Sequence, residues 1–366
     1  MIFWILFSFL ILILTFLLDK KYYFIIWFLF ALISGLRYYV GPDFTTYKEI
    51  FDLISHNESI YITNNNEFGY IGIIKLCNFF GLNNQAVIFI MSVMTIFFLK
   101  QGFDYYLKDK EKYYYIVLIG LFIPLFYIAS LNIIRQTLAA SILFYASKYI
   151  IEKKDSKYIL FIIIASLFHM SSLLFFIFYF LFKLNIPEYI YVLISSFFVI
   201  VNPFTMIYPL ISNFPYAFYL VDPNYSNPLS GSNLLFAILA ILLGFIIVII
   251  LGNNNKELFL KKIISISIIM QSLAIHIYIL NRLQTFFKPF IIISITILVC
   301  NYLLSKLKQK SLVYVSSIVI IFFTTLFLFY IKSNKYPSYN QYAINFSFIG
   351  EEYPLQIVGD YKNVHK

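Results

Sequence analysis

The sequence predicts an all-α polytopic membrane protein of about 11 or 12 transmembrane helices, and composition and run length carry that prediction. The chain is 61% hydrophobic and only 12% charged, with mean hydropathy +0.84, which is more apolar surface than a soluble core of 366 residues can hide. Runs long enough to cross a hydrocarbon core of about 30 Å recur along the whole length. Backbone amides in lipid must bond within their own segment, so the runs are helices; barrel strands would be shorter and would alternate.

Eleven runs stand out: Ile2 to Leu18, Tyr22 to Leu36, Gln85 to Leu99, Tyr113 to Ala129, Ile133 to Ile151, Tyr158 to Phe182, Tyr189 to Val201, Leu234 to Leu251, Ile263 to Leu280, Phe286 to Leu304 and Leu312 to Ile331. The first lacks a basic leader and a small-residue cleavage pattern, and Lys20 and Lys21 follow it, so it reads as a retained helix. Lysines fall in alternate short loops, at Lys20 and Lys21, Lys100 to Lys112, Lys148 to Lys157, Lys256 to Lys262 and Lys306 to Lys310. That set marks the cytoplasmic side and leaves 37–84 and 202–233 as external loops. The sixth run breaks the alternation, and a helical hairpin that enters and returns near His169, Met170, Ser171 and Ser172 restores it; a single tilted span is the alternative. A single transmembrane domain is expected over 1–335, with 336–366 an external C-terminal tail.

The net charge of +10 is lysine spread over loops, where it meets anionic headgroups, with no basic stripe or nucleic-acid motif. No nucleic-acid partner is expected. Two cysteines, Cys77 and Cys300, make no disulfide framework, and neither a metal-ligand spacing nor a cofactor signature is present.

The three arginines, Arg37, Arg135 and Arg282, all fall at the lysine-poor face. Permanent cations there call for an anion, although a lone arginine can also snorkel to headgroups. Around Arg37 the chain reads Arg37-Tyr38-Tyr39-Val40-Gly41-Pro42-Asp43-Phe44-Thr45-Thr46-Tyr47, and later Glu67-Phe68-Gly69-Tyr70. Gly41-Pro42 forces a turn, after which Asp43 either caps a short helix or reaches a site. Glu67 is either a solvated loop carboxylate or a site residue. Arg135 follows Asn132 at the start of the fifth run, about one turn inside it, where a charge costs a few kcal/mol unless paired or wet. Asn281-Arg282 is read as the end of the ninth run. His169 lies mid-run between Phe168 and Met170, and His276 within the ninth run is a weaker candidate.

This ordered set, Arg37, Gly41-x-Asp43, Tyr47, Glu67-x-Gly69-Tyr70, Asn132-x-x-Arg135-Gln136, Phe168-His169-x-Ser171 and Asn281-Arg282, resembles the EpsG-like family of polysaccharide polymerases, related in role to the O-antigen polymerase Wzy. Pro42 and Phe44 stand where such polymerases commonly have threonine and tyrosine. The resemblance implies a glycosyltransferase of the bacterial cytoplasmic membrane acting on its outer face in exopolysaccharide synthesis. An undecaprenyl-diphosphate-linked oligosaccharide would be transferred onto the non-reducing end of another lipid-linked repeat unit.

Arg37, Arg135 and Arg282 would then hold the diphosphate, for which the planar guanidinium fork is suited. His169, Asp43 or Glu67 would take the acceptor proton, with Tyr47, Gln136 and Tyr70 in support. No Asp-x-Asp signature is present, so the arginines would take a divalent ion's place. Membrane lipids, a chain-length regulator and a flippase are further implied partners. Tyr38, Tyr39, Tyr47, Tyr70, Tyr216, Phe218, Tyr219 and Tyr225 could stack on sugars, although aromatic belts also account for them. A lipid-linked oligosaccharide flippase or secondary transporter would also put charge in the membrane, but should show paired half-repeats, which this sequence lacks. An acyltransferase could use His169 but would draw its donor from the cytoplasm.

Overall fold

The structure, a computed structural model, describes residues 2–56, 67–184, 186–213, 228–304 and 343–349. Helices α1 (Ile2–Leu17), α2 (Tyr23–Leu36), α3 (Phe44–Ser55), α4 (Phe68–Phe79) and α5 (Asn84–Leu107) make the first half, with strand β1 (Arg37–Tyr38) between α2 and α3. Then come α6 (Lys112–Ser130), α7 (Ile134–Ile151), α8 (Asp155–Ser166), α9 (Leu174–Lys183), α10 (Glu188–Ile200) and α11 (Phe204–Ile211). Helices α12 (Gly231–Ile250), α13 (Asn255–Ala274) and α14 (Gln284–Leu298) follow, and strand β2 (Ala343–Ile344) pairs antiparallel with β1, Arg37 opposite Ile344.

Four helical stretches, Asn84–Leu107, Lys112–Ser130, Asn233–Ile250 and Ile279–Asn301, are long and apolar enough to cross a membrane, and shorter apolar helices accompany them. The chain is a multi-pass, all-α membrane protein. The hydroxyls of Ser8, Thr15 and Thr95, inside apolar helices, are satisfied locally, each donating to the carbonyl four residues back. Pro124, which has no N–H to give, sits in a π-helical turn, Ile123–Tyr127, that lets α6 continue. In lipid, helices gain from close fit, so small residues mark the tightest crossings. A side chain at Gly102 on α5 would meet the Phe144 ring of α7 at 2.5 Å.

Two expectations need correction or sharpening. The sixth run is a hairpin: α8 and α9 are separated by a short 3-10 turn, Met170–Leu173, and lie antiparallel. Lys183 at the end of α9 pairs with Asp155 at the start of α8, and Tyr158 stacks on Tyr179 at 5.9 Å. The ninth run, expected to extend to Leu280, stops at Ala274. Tyr278–Leu283 form a 3-10 turn, so Asn281 and Arg282 lead into α14 and do not end α13. His276 lies just past α13, with Nε2 2.6 Å from the Phe198 carbonyl, a structural contact. The expected run from Leu312 to Ile331 lies outside the described residues.

Lysines gather at one end of the bundle. Lys20 reaches the Lys110 carbonyl, Lys112 that of Phe16, Lys256 that of Tyr105 and Lys262 that of Phe182. At the opposite end lie Arg37, the turn between α6 and α7, the α8/α9 tip and the turn before α14. The end of α2 and the start of α5 also receive residues 343–349: the Asn345 amide donates to the Leu36 carbonyl and the Asn83 amide to that of Phe348. Part of the expected tail is therefore docked on the domain beside β1.

Candidate functional site

One turn of α7 organises the lysine-poor end. Asn132, just before the helix, accepts from the Asp43 amide through Oδ1 at 2.7 Å and donates through Nδ2 to Asp43 Oδ2 at 3.0 Å. Gly41 makes this approach possible: its φ is +95°, and a β-carbon there would meet Asn132 Oδ1 at 3.0 Å. Asp43 stands at the N-cap position of α3, but its side chain makes no cap bond, so the capping expectation fails and the carboxylate belongs to the site. Burial raises its pKa; the Asn132 hydrogen bond and the charges of Arg282 and Arg135 pull the other way.

Arg135, one helical turn on, donates to Glu67 Oε2 at 2.6 Å, and the second carboxylate oxygen lies 2.8 Å from His169 Nδ1. Glu67 is 2% exposed, which excludes the solvated loop reading; a carboxylate this buried needs two partners, and it has them. The Gly69 amide brings Glu67, at the head of α4, to the hairpin tip by donating to the Leu167 carbonyl at 2.8 Å. A β-carbon on Gly69 would lie 3.0 Å from that carbonyl oxygen. Gly69→Ala is accordingly expected to part Glu67 from His169, leaving protein level intact while the yield of product falls at least tenfold. Unchanged yield would show that the close approach is dispensable.

His169 is extended in backbone and sits at the head of the 3-10 turn, its ring stacked on Phe286 at 6.1 Å. With Nδ1 turned to a carboxylate, Nε2 is the nitrogen left for chemistry. Tyr47 and Tyr70 flank the Arg135 guanidinium, their centroids 5.8 and 5.4 Å away. Tyr47 is reached because α3 buries Phe44, Tyr47, Ile50, Phe51 and Ile54, one face of a 3.6-residue repeat. Burial pushes the Tyr47 phenol up to about 12, so it stays neutral at working pH. Gln136, beside Arg135, donates to the Arg282 carbonyl at 2.7 Å and so fixes the third turn. The Arg282 side chain is exposed and makes no hydrogen bond or ion pair with a described residue.

The structure thus brings together Asp43, Glu67, Arg135, His169, Arg282, Tyr47, Gln136 and Tyr70. Arg37 departs from expectation. It is 1% exposed, its Nε donates to the Leu131 carbonyl at 3.0 Å, and one terminal nitrogen serves the Ser34 carbonyl and the Ser92 hydroxyl. A guanidinium so committed braces α2 against the Asn132 turn and has no open face for a phosphate. The stacking expectation also changes: Tyr38, Tyr39, Tyr47 and Tyr70 are all buried. Tyr38 and Tyr39 pack on Phe44. Tyr216, Phe218, Tyr219 and Tyr225 lie outside the described residues. Asn132 and Gly69, prominent as letters of a motif, carry site geometry that side-chain chemistry alone did not suggest.

A many-helix membrane bundle with a carboxylate, imidazole and two arginines at one end defines a class of integral membrane protein built around a polar site at the bundle end. The EpsG family model matches residues 20–348, most of the chain, and the protein belongs to the EpsG family. No curated protein and no solved structure matches it.

Proposed function

We propose that the protein is a membrane polysaccharide polymerase that transfers a glycan from a polyprenyl diphosphate onto the non-reducing end of a second lipid-linked repeat unit. The reading rests above all on Glu67, held between Arg135 and His169 at the same end as the unpaired Arg282. The acceptor hydroxyl oxygen attacks C1 of the donor's reducing-end sugar, the C1–O bond to phosphate breaks, and the polyprenyl diphosphate leaves. His169 Nε2 takes the hydroxyl proton, and Glu67 steadies the imidazolium that results. Charge grows on the departing diphosphate, where a preorganised cation helps most. Arg282 supplies that cation, with Arg135 contributing what its pairing to Glu67 leaves. The site would face away from the cytoplasm, in keeping with lysines gathered at the other end.

Arg282 tests this role. Arg282→Lys keeps the charge and loses the bidentate fork, so chains in a strain lacking the native gene should shorten while protein level holds. Arg282→Gln, which removes the charge as well as the fork, should shorten them further. Full-length polymer from both variants would remove Arg282 from the site.

A further inference from the structure

A second feature lies between α12, α13 and α14, where a cavity of about 420 Å³ opens. That volume falls within the range of about 300–1,000 Å³ usual for ligand pockets. Its walls are aliphatic: Ala240 and Gly244 from α12, Ile264 and Ile268 from α13, Ile291 and Ile295 from α14. Six polar side chains also line it, Asn233, Ser267, Gln271, Asn281, Gln284 and Lys288. Gln284 is satisfied by Ser267. Gln271, only 8% exposed, and Lys288 make no hydrogen bond or ion pair with any described residue.

An ammonium inside an apolar span is costly unless it is paired or wet, so an unpaired lysine facing a cavity marks a place for an anion. Asn281 sets one end of the cavity beside Arg282, and from Gln284 to Ile295 the wall runs about 16 Å along α14 at the α-helical rise. Arg282 precedes Lys288 by roughly 10 Å along the same axis, a span that two long side chains can close on one diphosphate. Only 28% of the apolar window of α12 is buried, so this wall borders lipid, from which a hydrocarbon chain can enter.

We infer that the cavity seats the prenyl diphosphate carrier, with its lipid-side phosphate on Lys288 and Gln271 and its first isoprene units along α12 and α14. The identity of the lipid rests on the polymerase reading; the anion-and-chain chemistry of the cavity does not. Lys288 is then a binding and positioning residue that sets the depth of the diphosphate beneath Arg282.

The test uses the full-length protein in nanodiscs with a prenyl phosphate that carries a photoreactive group on its chain and no sugar. Label should map to α12 and α14. Lys288→Met should lower labelling at least tenfold, Lys288→Arg should restore most of it, and Ala240→Phe, which fills the corridor, should also abolish it in protein that elutes monodisperse. Wild-type labelling in Lys288→Met, label mapping elsewhere, or equal displacement by phosphatidylglycerol would each overturn the inference. Because the probe cannot be polymerised, the two readings separate. Labelling that needs Lys288 in a protein that makes no polymer sinks only the polymerase, whereas polymerisation with Lys288-independent labelling sinks only the cavity.

Discussion

Cells whose only copy carries His169→Ala are expected to make a single repeat unit and no ladder, at normal protein abundance. The loss should be about 100- to 10,000-fold, the usual cost of removing a general base. The geometry says which nitrogen matters: Nδ1 is 2.8 Å from Glu67 Oε1, so only Nε2 can accept the hydroxyl proton. His169→Gln should fail as well, because an amide can imitate the bond to Glu67 but cannot take a proton at neutral pH. Polymer length on a gel, read beside protein level, decides the matter. A ladder restored by glutamine would reduce His169 to a strut and move the base to Asp43, whose raised pKa and half-buried carboxylate suit it next best.

Glu67→Gln should have the second largest effect, on the order of 100-fold or more. Both oxygens of the native carboxylate are engaged, by Arg135 at 2.6 Å and by His169, so the amide loses an ion pair and the charge that steadies the imidazolium together. Glu67→Ala should instead threaten the fold. Taking one partner from a buried pair leaves Arg135 uncompensated at a cost of about 3–5 kcal/mol. The contrast separates chemistry from scaffold: normal abundance with short chains in Glu67→Gln, lowered abundance in Glu67→Ala. Long polymer from Glu67→Gln would show that His169 acts without its carboxylate.

The span pattern was readable because lipid leaves the backbone one way to satisfy its amides, and ten of the expected runs have helical counterparts within the described residues. The α8/α9 hairpin was one of two readings that the charge pattern left open, and the contact of Lys183 with Asp155 selects it over a single tilted span. The end of α13 was not. Ile275 to Leu280 is as apolar as the helix before it, and only the 3-10 turn that delivers Arg282 tells them apart. Arg135 and His169 were legible because ionisable groups in apolar runs are few, but their pairing with Glu67 was not. Arg37 and Arg135 look alike in sequence; one is taken up by carbonyls of its own fold and the other meets a carboxylate brought from Glu67 by the Gly69 contact. Lys288 was passed over because a lone lysine in an apolar run reads as another loop-end cation until a cavity is seen in front of it.

The most direct measurement is a single-turnover reaction of the purified protein with a defined lipid-diphosphate-linked repeat unit, in the presence of a chelator. Released polyprenyl diphosphate and extended glycan are counted by mass spectrometry. One diphosphate released for each repeat added, in wild type and not in His169→Gln, is the predicted result. Lipid-linked units recovered intact, or diphosphate released equally by both proteins, would contradict it.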